Sequence, residues 1–360
     1  MPSRARRSNE KSEVRSQKYQ KWLLVACCLL LASTSFAAFS KVGTVAAPFL
    51  KISVGRPTGM GDAFTGIADD ASATFYNPAG LAQLDRRQIF FNHISWIAGM
   101  NHEYISGILP VSGIGTFGIA ITSLSTGDME QTLIDDPTSP AREDLGTGLS
   151  FDASDMALGV TYARLITDKL AFGFSAKGIT ERVWDITASG VGLDVGLLYN
   201  TGWRNLRLGA SVANFGSDMT FGGRNLDFID STLPTRPQAS YKTTPSPLPI
   251  MFRFGLGYNL IENAASKLVV ALDLVHPSDI NETVNLGLEY GIDGKYFIRG
   301  GYIYNTDLEY LQSIGWNQGI SAGAGLAFKP LKELDLKLDY GYRHQGYLGG
   351  THRVTLGVGF

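Results

Sequence analysis

Cysteine is almost absent from this chain: among 360 residues there are two, Cys27 and Cys28, adjacent and close to the amino terminus. Everything downstream is therefore without a disulfide framework or a cysteine metal site. Long apolar runs are missing as well. A helical span needs about twenty consecutive apolar residues, and the run Trp22 to Ala32 is ended early by Ser33, Thr34 and Ser35. Charge is sparse, 18% of residues, and nearly balanced, with 31 Lys and Arg against 33 Asp and Glu. No basic stripe follows the amino-terminal residues, which argues against a nucleic-acid partner. The histidines His93, His102, His276, His344 and His352 show no zinc-type spacing, although His344 and His352 are placed to meet across a loop.

Catalytic patterns are equally thin. Gly113-Ile114-Gly115-Thr116-Phe117-Gly118 spells a dinucleotide fingerprint, but it leads into a strand, where the fingerprint requires a helix. Gly319-Ile320-Ser321-Ala322-Gly323 spells a nucleophile elbow, yet it too runs on into a strand. Asp335 and Asp339 share one strand face, as paired acids do, with Lys337 between them as in an ordinary charge network. The chain reads as a non-enzyme, with no cofactor and no metal.

What is present begins with a secretory leader. Residues 1–21 carry seven Lys or Arg against Glu10 and Glu13, a short apolar core follows, and Ser35-Phe36-Ala37 has small residues at cleavage spacing. Residues 1–38 are expected to be a signal peptide. Leu24-Val25-Ala26-Cys27 spells a lipoprotein box with too few apolar residues before it, and Arg6-Arg7 lies too far from the core for a twin-arginine signal. Cleavage removes both cysteines and five net positive charges, moving the net charge from -2 to -7.

From about residue 86 onward, apolar residues alternate with polar ones or glycine in segments about ten residues long, the length of a tilted transmembrane strand. Phe252, Phe254, Leu256 and Tyr258 oppose Arg253, Gly255, Gly257 and Asn259. Val284, Leu286, Leu288 and Tyr290 oppose Asn285, Gly287, Glu289 and Gly291, and the last segment ends on Val354, Leu356, Val358 and Phe360. Short connections fall near Ser112, Thr167, Thr201, Asn263, Asp293 and Pro330, whereas the long ones, 126–153, 215–248 and 306–318, all fall at the opposite end. Short turns at one end and long loops at the other are the parity of an outer-membrane barrel. Tyr162, Tyr199, Tyr258, Tyr290, Phe328 and Phe360 end the inward-running strands as an interfacial girdle, with Tyr302, Tyr304, Tyr340 and Tyr342 in an outer one. A secreted sandwich or propeller also alternates but does not produce parity and girdle together. The expected fold is all-β: a transmembrane antiparallel barrel of about fourteen strands over 86–360, in the outer membrane of a Gram-negative-type bacterium.

Residues 39–85 differ, being rich in Gly and Ala. Gly59-Met60-Gly61-Asp62-Ala63-Phe64, then Ala68-Asp69-Asp70-Ala71-Ser72-Ala73, then Asn77-Pro78-Ala79-Gly80-Leu81 together resemble the amino-terminal signature of the PorV/PorQ family, which is related to the FadL-like fatty-acid transporters. The resemblance implies a fourteen-stranded outer-membrane barrel whose amino-terminal segment plugs the lumen. Gly59 and Gly61 permit close backbone approach, Asn77-Pro78 favours a turn opening a short helix at Ala79, and Asp69 and Asp70 either accept hydrogen bonds in the plug or are solvated. Lumen-facing glycines, Gly255, Gly257, Gly287, Gly323, Gly325, Gly357 and Gly359, leave room for it or relieve strand curvature.

Two functions follow from the resemblance. A PorV-like protein assists export or surface attachment of secreted proteins, with other type IX components as partners, through its outer loops. A FadL-like protein passes hydrophobic small molecules such as long-chain fatty acids through an apolar pocket. The inward faces of the clearest strands carry Arg253, Asp273, Glu289, Arg299, Asp335, Lys337 and Arg353, a polar network more than an apolar pocket, which favours the export role. Outer-membrane lipid is a partner in either case, and Phe360 reads as the terminal-strand signal for the barrel-assembly machinery.

Overall fold

Strand formation follows the alternation. In the computed structural model, which describes residues 46–132, 146–203, 205–229, 238–307, 319–331 and 333–360, the strands are β1 (Gln88–Ser95), β2 (Asn101–Val111), β3 (Gly115–Ser125), β4 (Met129–Thr132), β5 (Gly146–Phe151), β6 (Ala153–Leu165), β7 (Leu170–Val183), β8 (Ile186–Asn200) and β9 (Arg207–Gly216). They continue as β10 (Asp227–Ile229), β11 (Gln238–Ser240), β12 (Met251–Glu262), β13 (Ser266–Pro277), β14 (Thr283–Ile292), β15 (Tyr296–Asn305), β16 (Ile320–Leu331), β17 (Leu334–His344) and β18 (Gly350–Gly359). Fourteen of these close into one antiparallel barrel, while β4 with β5 and β10 with β11 form separate two-stranded ribbons in long connections. The signal-peptide reading of residues 1–38 lies outside the described residues.

Closure pairs the first barrel strand with the last: Phe91 stands opposite Leu356, and the Phe360 N–H donates to the Arg87 carbonyl at 3.0 Å. With no open edge, every barrel strand has two neighbours, as backbone in hydrocarbon requires. Short turns between β2 and β3, β6 and β7, β8 and β9, β12 and β13, β14 and β15, and β16 and β17 lie at the end where β1 starts and β18 stops. By the usual parity this is the inner end. Among the outer connections, that between β7 and β8 is short, with only Trp184 and Asp185 between the strands.

One turn differs from its sequence assignment. Pro330 lies within β16, where the register slips between Phe328 and Leu331. Proline has no N–H to give a ladder, so an irregular strand end accommodates it.

The apolar face of each strand points outward. Leu288 is 50% exposed and Val354 47%, whereas their neighbours Glu289 and Arg353 are 6% and 1% exposed. Hydrocarbon, not water, is the solvent that suits such a surface. At the inner rim Tyr162 packs on Phe117 at 5.2 Å and its hydroxyl donates to the Ile114 carbonyl, and Trp203 stacks on Tyr258. At the outer rim Tyr340 and Tyr342 pack around His352.

Residues 46–84 lie against the inward faces of these strands in short turns: Pro48–Lys51, Arg56–Met60, Ala73–Tyr76 and Pro78–Gln83. Almost all their apolar side chains are buried. Met60, Phe64, Ile67, Tyr76 and Leu81 form one cluster with Phe90, Tyr104 and Ile108 of the wall, and Ala46, Phe49, Leu50 and Ile52 join a second.

Candidate functional site

Contact between segment and wall starts with backbone geometry. Gly61 has φ +60, a left-handed value that ends the turn Arg56–Met60, and its N–H donates to the Ser321 hydroxyl at 3.0 Å. A Cβ on Gly301 of β15 would stand 2.0 Å from the Gly61 nitrogen, and one on Gly209 of β9 2.0 Å from the Thr65 carbonyl oxygen. Gly59 abuts Gly323, and Gly255, Gly257 and Gly287 likewise face Thr65, Gly66, Ile67, Met60 and Ala63. Gly325, Gly357 and Gly359 do not: their nearest neighbours are Asp339, Arg299, Lys337 and Asp335. Gly173, Gly196, Gly209 and Gly301 also meet the segment; their signal in the sequence is inward parity alone.

Polar side chains bind what the glycines admit. Both Phe64 and Thr65 N–H groups donate to Asp273 Oδ2, at 3.0 and 2.8 Å. Asn77 caps the turn Pro78–Gln83 by accepting from the Ala79 N–H at 3.1 Å, while its Nδ2 donates to the Thr65 and Leu197 carbonyls. Asn77-Pro78 thus opens a short 3-10 turn: the side chain satisfies one orphan N–H and Pro78 has none to satisfy. Gly80 packs so closely on the Ala68 carbonyl that a Cβ would stand 2.1 Å from it.

Arg56 is the centre of the charge distribution, and nothing in its spacing announces it. Its guanidinium pairs with Asp69, with Asp70 at 2.5 Å, and with both Glu289 oxygens at 2.9 Å. Arg299 extends the chain of charges, reaching Glu289 Oε2 at 2.6 Å and Asp339 Oδ1 at 2.7 Å. Asp70 also accepts from the Ser72 N–H, so through Arg56 the carboxylates Asp69 and Asp70 tie the turns of the segment to one another. Burial pushes the Asp69 carboxyl up, but Arg56, backed by Arg207, outweighs this and holds it below the usual carboxylate range. A second clamp lies nearer the outer end, where Arg343 reaches Asp62 at 2.6 Å and Ser53 at 3.0 Å.

The seven inward charges named from the sequence do not form one network. Glu289 and Arg299 belong to the Arg56 cluster. Asp335 sits at the inner rim between Lys329 and Arg86, at 3.0 and 2.9 Å, with the exposed Lys337 beside it. Asp273 binds the segment backbone, Arg353 donates to the Ser53 carbonyl and Thr351, and Arg253 stands apart beside Phe75 and Tyr76.

The lumen is accordingly divided along its axis. Towards the inner end a cavity of about 370 Å³ is lined by Arg56, Asp70, Arg299, Asp339 and Lys337 with Phe90 and Phe297. Towards the outer end Phe49, Leu50 and Ile52 pack with Ile94, Ile179, Ala188, Met219 and Leu248. A mainly polar lining, expected from β12 to β18, describes only part of the lumen: the apolar part comes from β1 to β8, the connection after β9 and the segment itself. No group of three or more potential metal ligands occurs among the described residues.

The model of an uncharacterised protein family (UPF0164) matches residues 32–140, which include the signature and the first three barrel strands. No curated protein sequence matches the chain. Among solved structures, the Ralstonia pickettii toluene transporter TbuX superposes with TM-score 0.53 at 14% identity, over 84% of this chain and 96% of that one. A Pseudomonas aeruginosa FadL homologue gives 0.51 at 13%, over 86% and 98%, and the Pseudomonas putida toluene transporter TodX gives 0.50 at 13%, over 83% and 96%. In fold, the chain is a FadL-like outer-membrane β-barrel.

Proposed function

We propose that this protein passes hydrophobic small molecules across the outer membrane, with residues 46–84 as the plug that controls the path. The observation that carries the reading is the apolar cluster at the outer end of the lumen, built from Phe49, Leu50 and Ile52 of the segment and from Ile94, Ile179 and Leu248. An apolar solute entering from outside meets greasy surface first, and the charged cavity lies beyond it. The similar barrels of TbuX and TodX are toluene transporters, which supports the same class of cargo here. The test is uptake of a labelled hydrophobic compound by cells whose outer membrane contains this protein and no other hydrophobic-compound channel.

A second reading is membership of the PorV/PorQ family, with a role in type IX export. It rests on the signature from Gly59 to Leu81 and on the long connections between β3 and β6 and between β9 and β12. Cross-linking of outer membranes followed by mass spectrometry tests it: capture of secreted proteins that disappears when the β9–β12 connection is shortened supports export.

A further inference from the structure

Histidine is scarce in this chain and unevenly placed. Of the five, His102 faces the lumen and is buried, whereas His93, His276, His344 and His352 lie near the outer ends of their strands. Alternation puts all four on the lipid-facing side. His93 shares a face with Phe91, His276 with Leu274, His344 with Tyr340 and His352 with Val354, and each of those neighbours is exposed. The girdle at the inner rim is built from tyrosine and phenylalanine without histidine, so an interfacial belt does not by itself require imidazole.

Three of the four gather where the first and last strands meet. His352 on β18 stands opposite Ser95 on β1 and Tyr342 on β17, while His93 is opposite Val354 and His344 opposite Gly350. The three imidazoles therefore form a diagonal across three adjacent strands, and diagonal neighbours on one face, about 7–8 Å apart, lie within reach of long side chains. His352 Nδ1 is 2.6 Å from the Tyr340 hydroxyl, and its ring packs on both Tyr340 and Tyr342. With the hydroxyl donating to Nδ1, the ring proton sits on Nε2, which has no hydrogen-bond partner among the described residues. The Tyr342 and Ser95 hydroxyls and the His344 ring likewise have none. Glu103, the acid opposite His93, is already taken up by His93 Nδ1 at 2.6 Å.

Donors without acceptors on a lipid-facing wall are costly unless the lipid supplies the acceptors. At this rim the lipid is that of the outer leaflet, and its head groups lie at the level of His352. We propose that the seam of β1, β18 and β17 binds the phosphate of an outer-leaflet lipid, with His352, His344 and Tyr342 as donors. A phosphate offers several strong acceptor oxygens, so one head group serves a diagonal row of donors. The acyl chains then lie along Phe91, Val354 and Leu356, which continue the same face towards the bilayer centre. The site is independent of what passes through the lumen.

The test is native mass spectrometry of the full protein titrated with lipid A and with the same lipid stripped of its phosphates, which share acyl chains and sugar. Wild type is expected to hold lipid A about tenfold or more tightly than the stripped lipid, the size of hydrogen bonds to a charged group. His352→Phe keeps the ring and removes the donor, and is expected to bring the two lipids within about threefold of each other. Tyr342→Phe is expected to weaken lipid A by a few-fold, and it decides the matter if the His352 variant does not show heat-modifiable migration. His276→Phe, at the same rim but away from the seam, is expected to leave the preference as in wild type. No preference in wild type, an unchanged preference in the folded seam variants, an equal loss in His276→Phe, or a preference that appears only with added zinc overturns the site.

Discussion

Gly61 in the lumenal segment and Gly301 on β15 meet backbone to backbone, so that a Cβ on Gly301 would stand 2.0 Å from the Gly61 nitrogen. Gly300, next in the chain, faces the other way and has nothing within 4 Å of the same construction. Gly301→Ala is therefore expected to lose about 1–3 kcal/mol through overpacking, and Gly300→Ala to change stability by less than about 0.5 kcal/mol. Denaturant unfolding of the two variants from lipid vesicles, together with protease access to residues 46–84, reads both effects. Equal behaviour of the two would contradict the assignment of faces on β15.

Arg56 neutralises three carboxylates, Asp69, Asp70 and Glu289. Arg56→Met leaves Asp70 without its cation and leaves Glu289 and Asp69 to Arg299 and Arg207 alone, and because the site borders a cavity the cost is expected to be at or below the low end of the about 3–5 kcal/mol of a fully buried broken pair. The expected outcome is a barrel that still shows heat-modifiable migration but conducts small ions in a planar bilayer, because the segment is no longer held to β14. Wild-type conductance would show that Arg56 does not secure the segment in the lumen.

The same strand tests inside against outside. Leu288 faces lipid at 50% exposure and Glu289 faces the lumen. Leu288→Arg is expected to cost roughly 2–4 kcal/mol near the bilayer midplane, measured by reversible unfolding from phospholipid vesicles, whereas Leu288→Phe is expected to be nearly neutral. Insensitivity to the arginine would place that face away from lipid.

Much of the barrel was legible because strand periodicity is local. Leu286, Leu288 and Tyr290 declare one face whatever lies beside them, and the inner turns at Ser112, Asn263 and Asp293 follow from where alternation stops. The lumenal site was less legible because its partners are brought together only by closure. Arg56 and Glu289 are 233 residues apart, and no spacing relates them until β14 and the segment share one lumen. The expected polar lining covers only part of the lumen for a related reason: β12 to β18 alternate most cleanly and dominate the reading, while Ile94, Ile179 and Leu248 make an apolar surface only once the segment lies against them. Asn77-Pro78 was readable since its cap is local, but that Asn77 also donates to Leu197 of β8 was not.

Removing the segment tests its role in closing the pore. Deletion of residues 43–82 with residues 1–42 retained is expected to leave an inserted barrel that admits small hydrophilic solutes, read by swelling of proteoliposomes in sugar solutions. A deleted barrel no leakier than wild type would show that residues 46–84 do not close the lumen.

The most direct measurement is the initial rate of uptake of radiolabelled toluene and dodecanoate by cells carrying this barrel as their only hydrophobic-compound channel, beside cells carrying the empty vector. Hydrophobic passage predicts faster uptake of at least one of the two compounds, with no change for a hydrophilic sugar of similar mass. Uptake equal to the vector control for both compounds, or a parallel rise for the sugar, would contradict it.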